Sequence, residues 1–465
     1  MNRKHIQKAR RTAGPAVATE HLPGAAELRR IADRILRLSD ADETEVWMDA
    51  GADALTRFAN NTIHQNLAEK FLTISVRTVF DGRTARATTN KTDEDSLRHV
   101  LAASAALARS QPRNPDLLSM PGPQKYPKVS RYFEETAAAT PHDRACVVSG
   151  IVNQCAKAGQ TAAGTFSTGA VRSILANSRG LFAGYQQTKA EFSITVMGGA
   201  GSGWAKENSP SITELWPERT AARARAKCSA SAQASELPPG RYTVILEPAA
   251  ALDLLGFLSY DFSATAVADQ RSCFNKRLGR KIFGSNITLW DDVCHPLQLG
   301  VPYDGEGMPR RKVPLIDRGT PRNLVYSRAA AKKAGVKPTG HGMLLPNEWG
   351  EAPVNLVFAG GKSSLEEMIA GSERAILVTR TWYIREVDPY EKIVTGMTRD
   401  GTFLIENGQF GGAIRNFRFN QSLLELLASV EAMGPAVRST GEESFDMVIP
   451  AMRVKNFRFT EVTKF

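Results

Sequence analysis

The sequence predicts an α+β protein in three parts: an N-terminal α/β unit, a middle α/β unit and a β-rich C-terminal domain. Three observations carry that expectation. Apolar residues at helical spacing alternate with β-branched runs twice in the first half of the chain. Two proline-bearing stretches, 111–128 and "LPPG" at 237–240, stand where boundaries are expected. From 241 onward, short strand-like runs dominate. The expected divisions are a basic, disordered tail over 1–23, a first unit over 24–110, a linker over 111–128, a middle unit over 129–236 and the C-terminal domain over 237–465.

The elements follow in order. Leu28, Ile31, Ile35, Leu36 and Leu38 place a helix over 24–38. "ETEVWMDAGADALTRFANNTIHQN" reads as strand, turn, strand, and "KFLTISVRTVFDGRTARATTN" as a hairpin turning at Asp81-Gly82. A second helix follows in "TDEDSLRHVLAASAALARS", with Thr92 as N-cap and Asp95 at the capping-box position. Thr140 and Pro141 open a third helix that Gly159 closes. Two strand runs lie between 160 and 199, and residues 213–236 look helical. "RYTVILEP" is a buried-type strand leading into the apolar helix "AAALDLLGFLSYDFSA". Later strand candidates are "KVPLIDRG", "RNLVYS", "VNLVFAGG", "AILVTRTWYIREVD" and "GTFLIENGQ". "IRNFRFN" at 414–420 echoes "VKNFRFT" at 454–460; in each, both phenylalanines share one strand face and read as core positions.

Composition narrows the function classes. Hydrophobic residues make up 42% and charged residues 23%, enough to bury a sizeable core. No apolar run approaches the ~18 residues needed to span a bilayer. The basic N-terminus "MNRKHIQKARRTAG" has no apolar core of a secretory signal, so a cytoplasmic location without membrane contact is expected. Five scattered cysteines form no CxxC pair and are expected to be reduced. The net charge is +11, part of it from Arg3, Lys4, Lys8, Arg10 and Arg11. A solvated tail is the simpler account of that cluster, and an arm that touches nucleic acid is the alternative. No stripe of Lys/Arg with interleaved aromatics marks a nucleic-acid face elsewhere.

Catalytic signals are sparse. No two of the seven histidines stand three to five apart, so no HExxH-type zinc helix exists. Cys294 and His295 are adjacent and point to opposite faces of an extended chain. A metal site would have to be assembled from distant residues such as Asp261, His295 and His341. "GGAGSG" at 198–203 lacks the GK[ST] ending of a phosphate loop and reads as a turn or bulge. "DGEG" at 304–307 and "TRDG" at 398–401 lack the alternating spacing of a calcium loop and read as glycine turns.

"VPYDGEGMPRRKVPLIDRG" at 301–319, "AAAKKAGVKPTGHG" at 329–342 and "TGMTRDGTFLIENGQFGGAIRNFRFNQSLLELLASVEAMG" at 395–434 resemble the TldD/PmbA family. "ADALTRFANNTIHQN" at 52–66 is similar to that family's first block. The resemblance implies zinc peptidases whose HExxxH helix supplies two His ligands and a Glu base, with a later Cys ligand. Zinc there lowers the pKa of bound water and polarises the scissile carbonyl. It also implies pairing of a metal-bearing subunit with a metal-free one of the PmbA or TldE type.

Placed on this chain, the motif falls on Gly256, Phe257 and Asp261, and no cysteine follows Cys294. The resemblance is therefore to the metal-free branch: a peptide-binding subunit with no catalytic residues and no cofactor, forming a homodimer or a heterodimer with a TldD-like, metal-bearing partner. Peptide is expected to add to a strand edge near Thr395, Arg399, Asp400 and Arg418. The alternatives are an active peptidase with a non-standard zinc site and a nucleic-acid-associated factor acting through the basic arm.

Overall fold

The structure is a computed structural model and describes residues 23–463. The basic tail, apart from Pro23, lies outside the described residues. The first half of the chain builds one six-stranded antiparallel sheet in the order β3-β2-β1-β4-β5-β6. Its strands are β1 (Glu43–Ala59), β2 (Thr62–Phe80), β3 (Arg83–Thr89), β4 (Thr161–Asn177), β5 (Phe182–Gly198) and β6 (Gly201–Ser209). β1 pairs with β4 from Glu45↔Asn177 to Phe58↔Gly164, so the segments before and after the proline-rich stretch share one sheet. "TIHQN" and "KFLTISVRTVF", expected as separate strands, merge into β2.

Four long helices pack on this sheet, α1 (Ala25–Leu38), α2 (Glu94–Ser110), α3 (Pro141–Lys157) and α4 (Pro217–Ala230), with a single helical turn at Glu134–Ala137 beside β4 and β5. Thr140 and Asp143 close the capping box at the start of α3. The cap of α2 is Asp93 and not Thr92, because Asp93 accepts the Ser96 N–H. "GGAGSG" is the β5–β6 turn and the start of β6. A β-carbon on Gly201 or Gly203 would lie 2.2 Å from the Cys228 carbonyl or 2.1 Å from that of Ala224. Those glycines let the strand touch the backbone of α4, which is a packing role and not phosphate binding.

The second half carries two further sheets. The smaller, β10-β9-β8-β11-β20-β19, is built from β8 (Leu289–Asp291), β9 (Val313–Asp317), β10 (Thr320–Pro321), β11 (Leu356–Phe358), β19 (Val437–Ser439) and β20 (Met447–Ile449). The larger, of nine strands, has the main path β13-β14-β17-β21-β7-β12-β15-β16, with β18 (Val430–Met433) paired to β21. Its members are β7 (Gly240–Leu246), β12 (Arg374–Val378), β13 (Thr381–Asp388), β14 (Ile393–Thr398), β15 (Thr402–Glu406), β16 (Gln409–Ala413), β17 (Phe417–Ser422) and β21 (Met452–Val462). β17 and β21, which hold the two "NFRF" segments, are neighbours in that sheet. Phe417 stacks on Phe459 at 4.6 Å, and Phe419 meets Phe457 edge-on at 5.5 Å, all four rings buried. "RNLVYS" forms no strand; Val325 makes an isolated bridge to Ser263. No described helix is long and apolar enough to cross a membrane.

Candidate functional site

β7 ends at Leu246, and Pro248 opens helix α5 (Pro248–Leu255). Proline fits the first helical position because its missing N–H has no partner there in any case. Every residue from Ala250 to Leu255 is buried, so this short helix is wrapped on all sides by the C-terminal core. At Gly256 the helix tightens into two 3₁₀ turns, Gly256–Leu258 and Tyr260–Phe262. Glycine is the weakest helix former in the run apart from Pro248, and the α-helix stops there. Leu254, Leu255, Leu258 and Phe262 all join the core. Ser263 caps the next helix, α6 (Ala264–Ala268).

The three positions where the motif was expected, Gly256, Phe257 and Asp261, have three distinct surroundings. Gly256 faces Ser444: a β-carbon at 256 would lie 1.7 Å from Ser444 Oγ and 2.6 Å from Ser444 Cβ. Phe257 packs, half-buried, against the core. Asp261 is buried; its Oδ1 accepts the Cys273 N–H at 2.7 Å and its Oδ2 lies 2.5 Å from Lys392 Nζ. Lys392 also reaches Glu386 at 2.5 Å. Burial raises the pKa of Asp261, with the Lys392 charge pulling against it. Burial alone would lower that of Lys392, but the Asp261 and Glu386 carboxylates outweigh it and hold the ammonium above its ordinary value.

Ser444 belongs to a segment that is fastened on several sides. Asp253, one turn before Gly256, is fully buried, and its Oδ1 accepts the N–H groups of Glu442, Glu443 and Ser444 at 3.1, 3.0 and 3.2 Å. Burial outweighs these bonds and pushes the Asp253 carboxyl up to about 6. Lys206 of β6 donates to the Gly441 carbonyl at 3.0 Å. Glu443 accepts the Tyr383 N–H at 2.7 Å. Asp446 pairs with Arg438 at 2.8 Å and accepts from Asn208 at 2.9 Å. The 441–446 segment is thus clamped between the C-terminal core and the first sheet. Asp253, Lys392 and Ser444 escape a sequence reading that looks for metal ligands. The one available signal is the lone acid in "AAALDLL", since a carboxylate in an apolar helix needs buried partners.

The other candidates are dispersed. His341 is buried, with Nε2 2.9 Å from Asp291 Oδ1 and Nδ1 2.9 Å from Thr339 Oγ1, so both ring nitrogens are engaged. His295 Nδ1 accepts the Leu297 N–H. Among the described residues, no three His, Cys, Asp or Glu side chains gather as a metal site would require. Asp261, His295 and His341 are therefore not brought together. Thr395 Oγ1 donates to the Phe419 carbonyl within the β14–β17 ladder. Asp400 is buried at a turn with φ of 52° and pairs with Arg380 at 2.5 Å. Arg399 stacks over Trp382 at 4.9 Å, and Arg380 stands over both Trp382 and Trp204, at 4.9 and 4.7 Å. Arg418 is exposed on β17, opposite Met397. Of these four, Asp400 is taken up by its turn, and Arg399 and Arg418 keep exposed side chains.

Three family models match the chain in order. They are described as PmbA/TldA metallopeptidase domain 1 over residues 50–108, central domain over 121–231 and C-terminal domain over 239–461. The chain belongs to the PmbA/TldD metallopeptidase family. It is 25% identical over 360 residues to protein MJ0231 of Methanocaldococcus jannaschii, covering 73% of this chain and 81% of that one. It is 21% identical over 306 residues to Metalloprotease PmbA of Escherichia coli O157:H7, covering 63% and 64%. The crystal structure of TldE from Thermococcus kodakarensis superposes with a TM-score of 0.85 at 21% identity, over 93% of this chain and 99% of that one. That likeness shows the fold, and the family models divide it into three PmbA/TldD domains, the last β-rich.

Proposed function

We propose that this PmbA/TldD homologue is a peptidase-related, peptide-binding subunit with no zinc site of its own, and that it works as a homodimer or beside a metal-bearing partner. One observation carries the reading: the side chain of Ser444 fills the space in front of Gly256. A first ligand has no room to project there, and Phe257 has no atom that could accept a proton. Asp261, at the third position, is neutralised by Lys392. A zinc ion with its bound water does not fit this set, so no hydrolytic step runs through these residues. The structural likeness to TldE is consistent with such a subunit. Extended peptide would lie along the larger sheet near β13 and β14, where Arg399 and Arg418 supply exposed cations.

The test is peptide cleavage by the chain alone and after mixing with a metal-bearing PmbA/TldD protein from the same source. Cleavage only in the mixture, together with co-elution on size exclusion, is the expected result. Cleavage by the isolated chain that is abolished by a chelator rejects the reading.

A further inference from the structure

A cavity of about 550 Å³ lies apart from the Gly256–Ser444 contact and shares no lining residue with it. Its walls are residues 114–118 of the proline-rich stretch, helix α6, helix α7 (Arg328–Ala334) and the 345–350 segment. Leu117, Leu118, Val267, Leu324 and Leu345 give it apolar sides. That size suits a small molecule or one or two residues of a peptide.

Glu306 lines this cavity and is 5% exposed. Its Oε2 accepts the Arg328 N–H at 2.7 Å, whereas its Oε1 has no hydrogen-bond partner among the described residues. The carboxyl is pushed up to about 7 by burial and by the neighbouring Asp304, with Arg328 and Arg77 pulling the other way. Arg77 is held by two bonds to Glu45, at 3.2 and 3.1 Å, and makes none to Glu306. Four carboxylates line the space, Asp116, Asp269, Glu306 and Glu348, against two cations. Two of these carboxylates and both cations are already engaged: Lys333 lies 3.7 Å from Asp116, Arg271 lies 2.8 Å from Asp269, and Arg328 donates to the Ser119 carbonyl at 2.7 Å. In a chain of net charge +11, this is a partly apolar recess where, among the described residues, Glu306 and Glu348 are the carboxylates outside an ion pair and the largely buried Glu306 keeps Oε1 as an open acceptor.

We propose that the cavity binds a primary alkylammonium group on an apolar stem, with the ammonium on Glu306 Oε1 and the stem against Leu117, Val267 and Leu345. A lysine side chain of a peptide and a free aliphatic diamine both present that chemistry. Desolvating the ammonium is compensated by a charge-assisted hydrogen bond to the buried carboxylate. The site is independent of the zinc question and of the peptide path along the larger sheet.

Titration calorimetry on the full chain tests this with three probes: an N-acetylated, C-amidated Ala-Lys-Ala peptide, the same peptide with its lysine acetylated, and 1,5-diaminopentane. The first or third probe should bind at least about tenfold more tightly than the acetylated peptide. Tighter binding of the peptide assigns the site to protein lysines, and tighter binding of the diamine assigns it to free amines. Affinity should rise between pH 6 and 8 as Glu306 ionises. Glu306→Gln and the cavity-filling Ala330→Trp should each weaken binding about tenfold, with thermal melts confirming that both fold. Equal binding of the acetylated peptide, no binding of any probe, or undiminished binding by folded Glu306→Gln overturns the proposal.

Discussion

Ser444 Oγ stands 1.7 Å from where a β-carbon on Gly256 would lie. Gly256 itself has ordinary right-handed helical angles, φ −59° and ψ −28°. A side chain is therefore excluded by its neighbour and not by the backbone. In open space, Gly→Ala in a helix stabilises by up to about 1 kcal/mol. Here Gly256→Ala should instead destabilise by about 1–3 kcal/mol, the usual cost of overpacking. Ser444→Gly in the same chain should recover most of that loss. Chemical denaturation of the two single variants and the double variant measures the coupling, and additive effects would mean that the contact does not exist in solution.

Asp253 gathers three backbone N–H groups of the 441–446 segment. Asp253→Ala leaves those donors with no partner, at a cost of about 1–3 kcal/mol. Hydrogen exchange at residues 442–444 should accelerate more than at β7 in this variant. Unchanged protection at those three amides would show that the segment is held by its other attachments.

Lys392 sits between Asp261 and Glu386 in a largely buried pocket. Lys392→Met strands the Asp261 carboxylate, and losses of about 3–5 kcal/mol are expected when one member of a buried pair is removed. Asp261→Asn added to Lys392→Met should restore more than half of the stability, because the amide can still accept the Cys273 N–H. A double variant no better than Lys392→Met would mean that Lys392 acts chiefly through Glu386.

Glu306 gives a pH signature. Its folded pKa of about 7 stands above its ordinary value of 4.5. The unfolded chain therefore releases this proton first, and stability falls as pH rises from about 4.5 to about 7. Glu306→Gln removes that dependence. The variant should match the parent near pH 4.5 and exceed it at pH 8 by on the order of 2 kcal/mol. Denaturation midpoints at the two pH values check this, and a parent that is the more stable form at pH 8 contradicts it.

Local chemistry was largely readable in the sequence where neighbours along the chain decide the outcome, the α2 cap, Asp93 in place of Thr92, being an exception. Thr140 with Pro141 and Asp143 makes a helix start that needs nothing from elsewhere. Asp81-Gly82 turns a hairpin through positive φ at both residues. The two "NFRF" segments announce core faces because their period of two survives in any sheet. What the sequence hides is long-range partnership. Nothing in "TAAGTFSTGAVRSILAN" says that it pairs with a strand more than a hundred residues earlier, so the sequence does not reveal that the first two units share one sheet. Asp253 and Ser444 are almost two hundred residues apart, and Asp261 meets a lysine 131 positions on. At Gly256, Phe257 and Asp261, where the resemblance places the motif, the sequence alone shows no His or Glu. That other side chains fill or neutralise the space needed three dimensions.

Zinc content of the purified, untagged chain tests the central claim most directly. Elemental analysis after dialysis against zinc-free buffer should find well below one zinc per chain, and added zinc should leave the melting temperature unchanged. One tightly held zinc per chain, lost in Asp261→Ala or His341→Ala, would contradict the account and establish a metal site of another design.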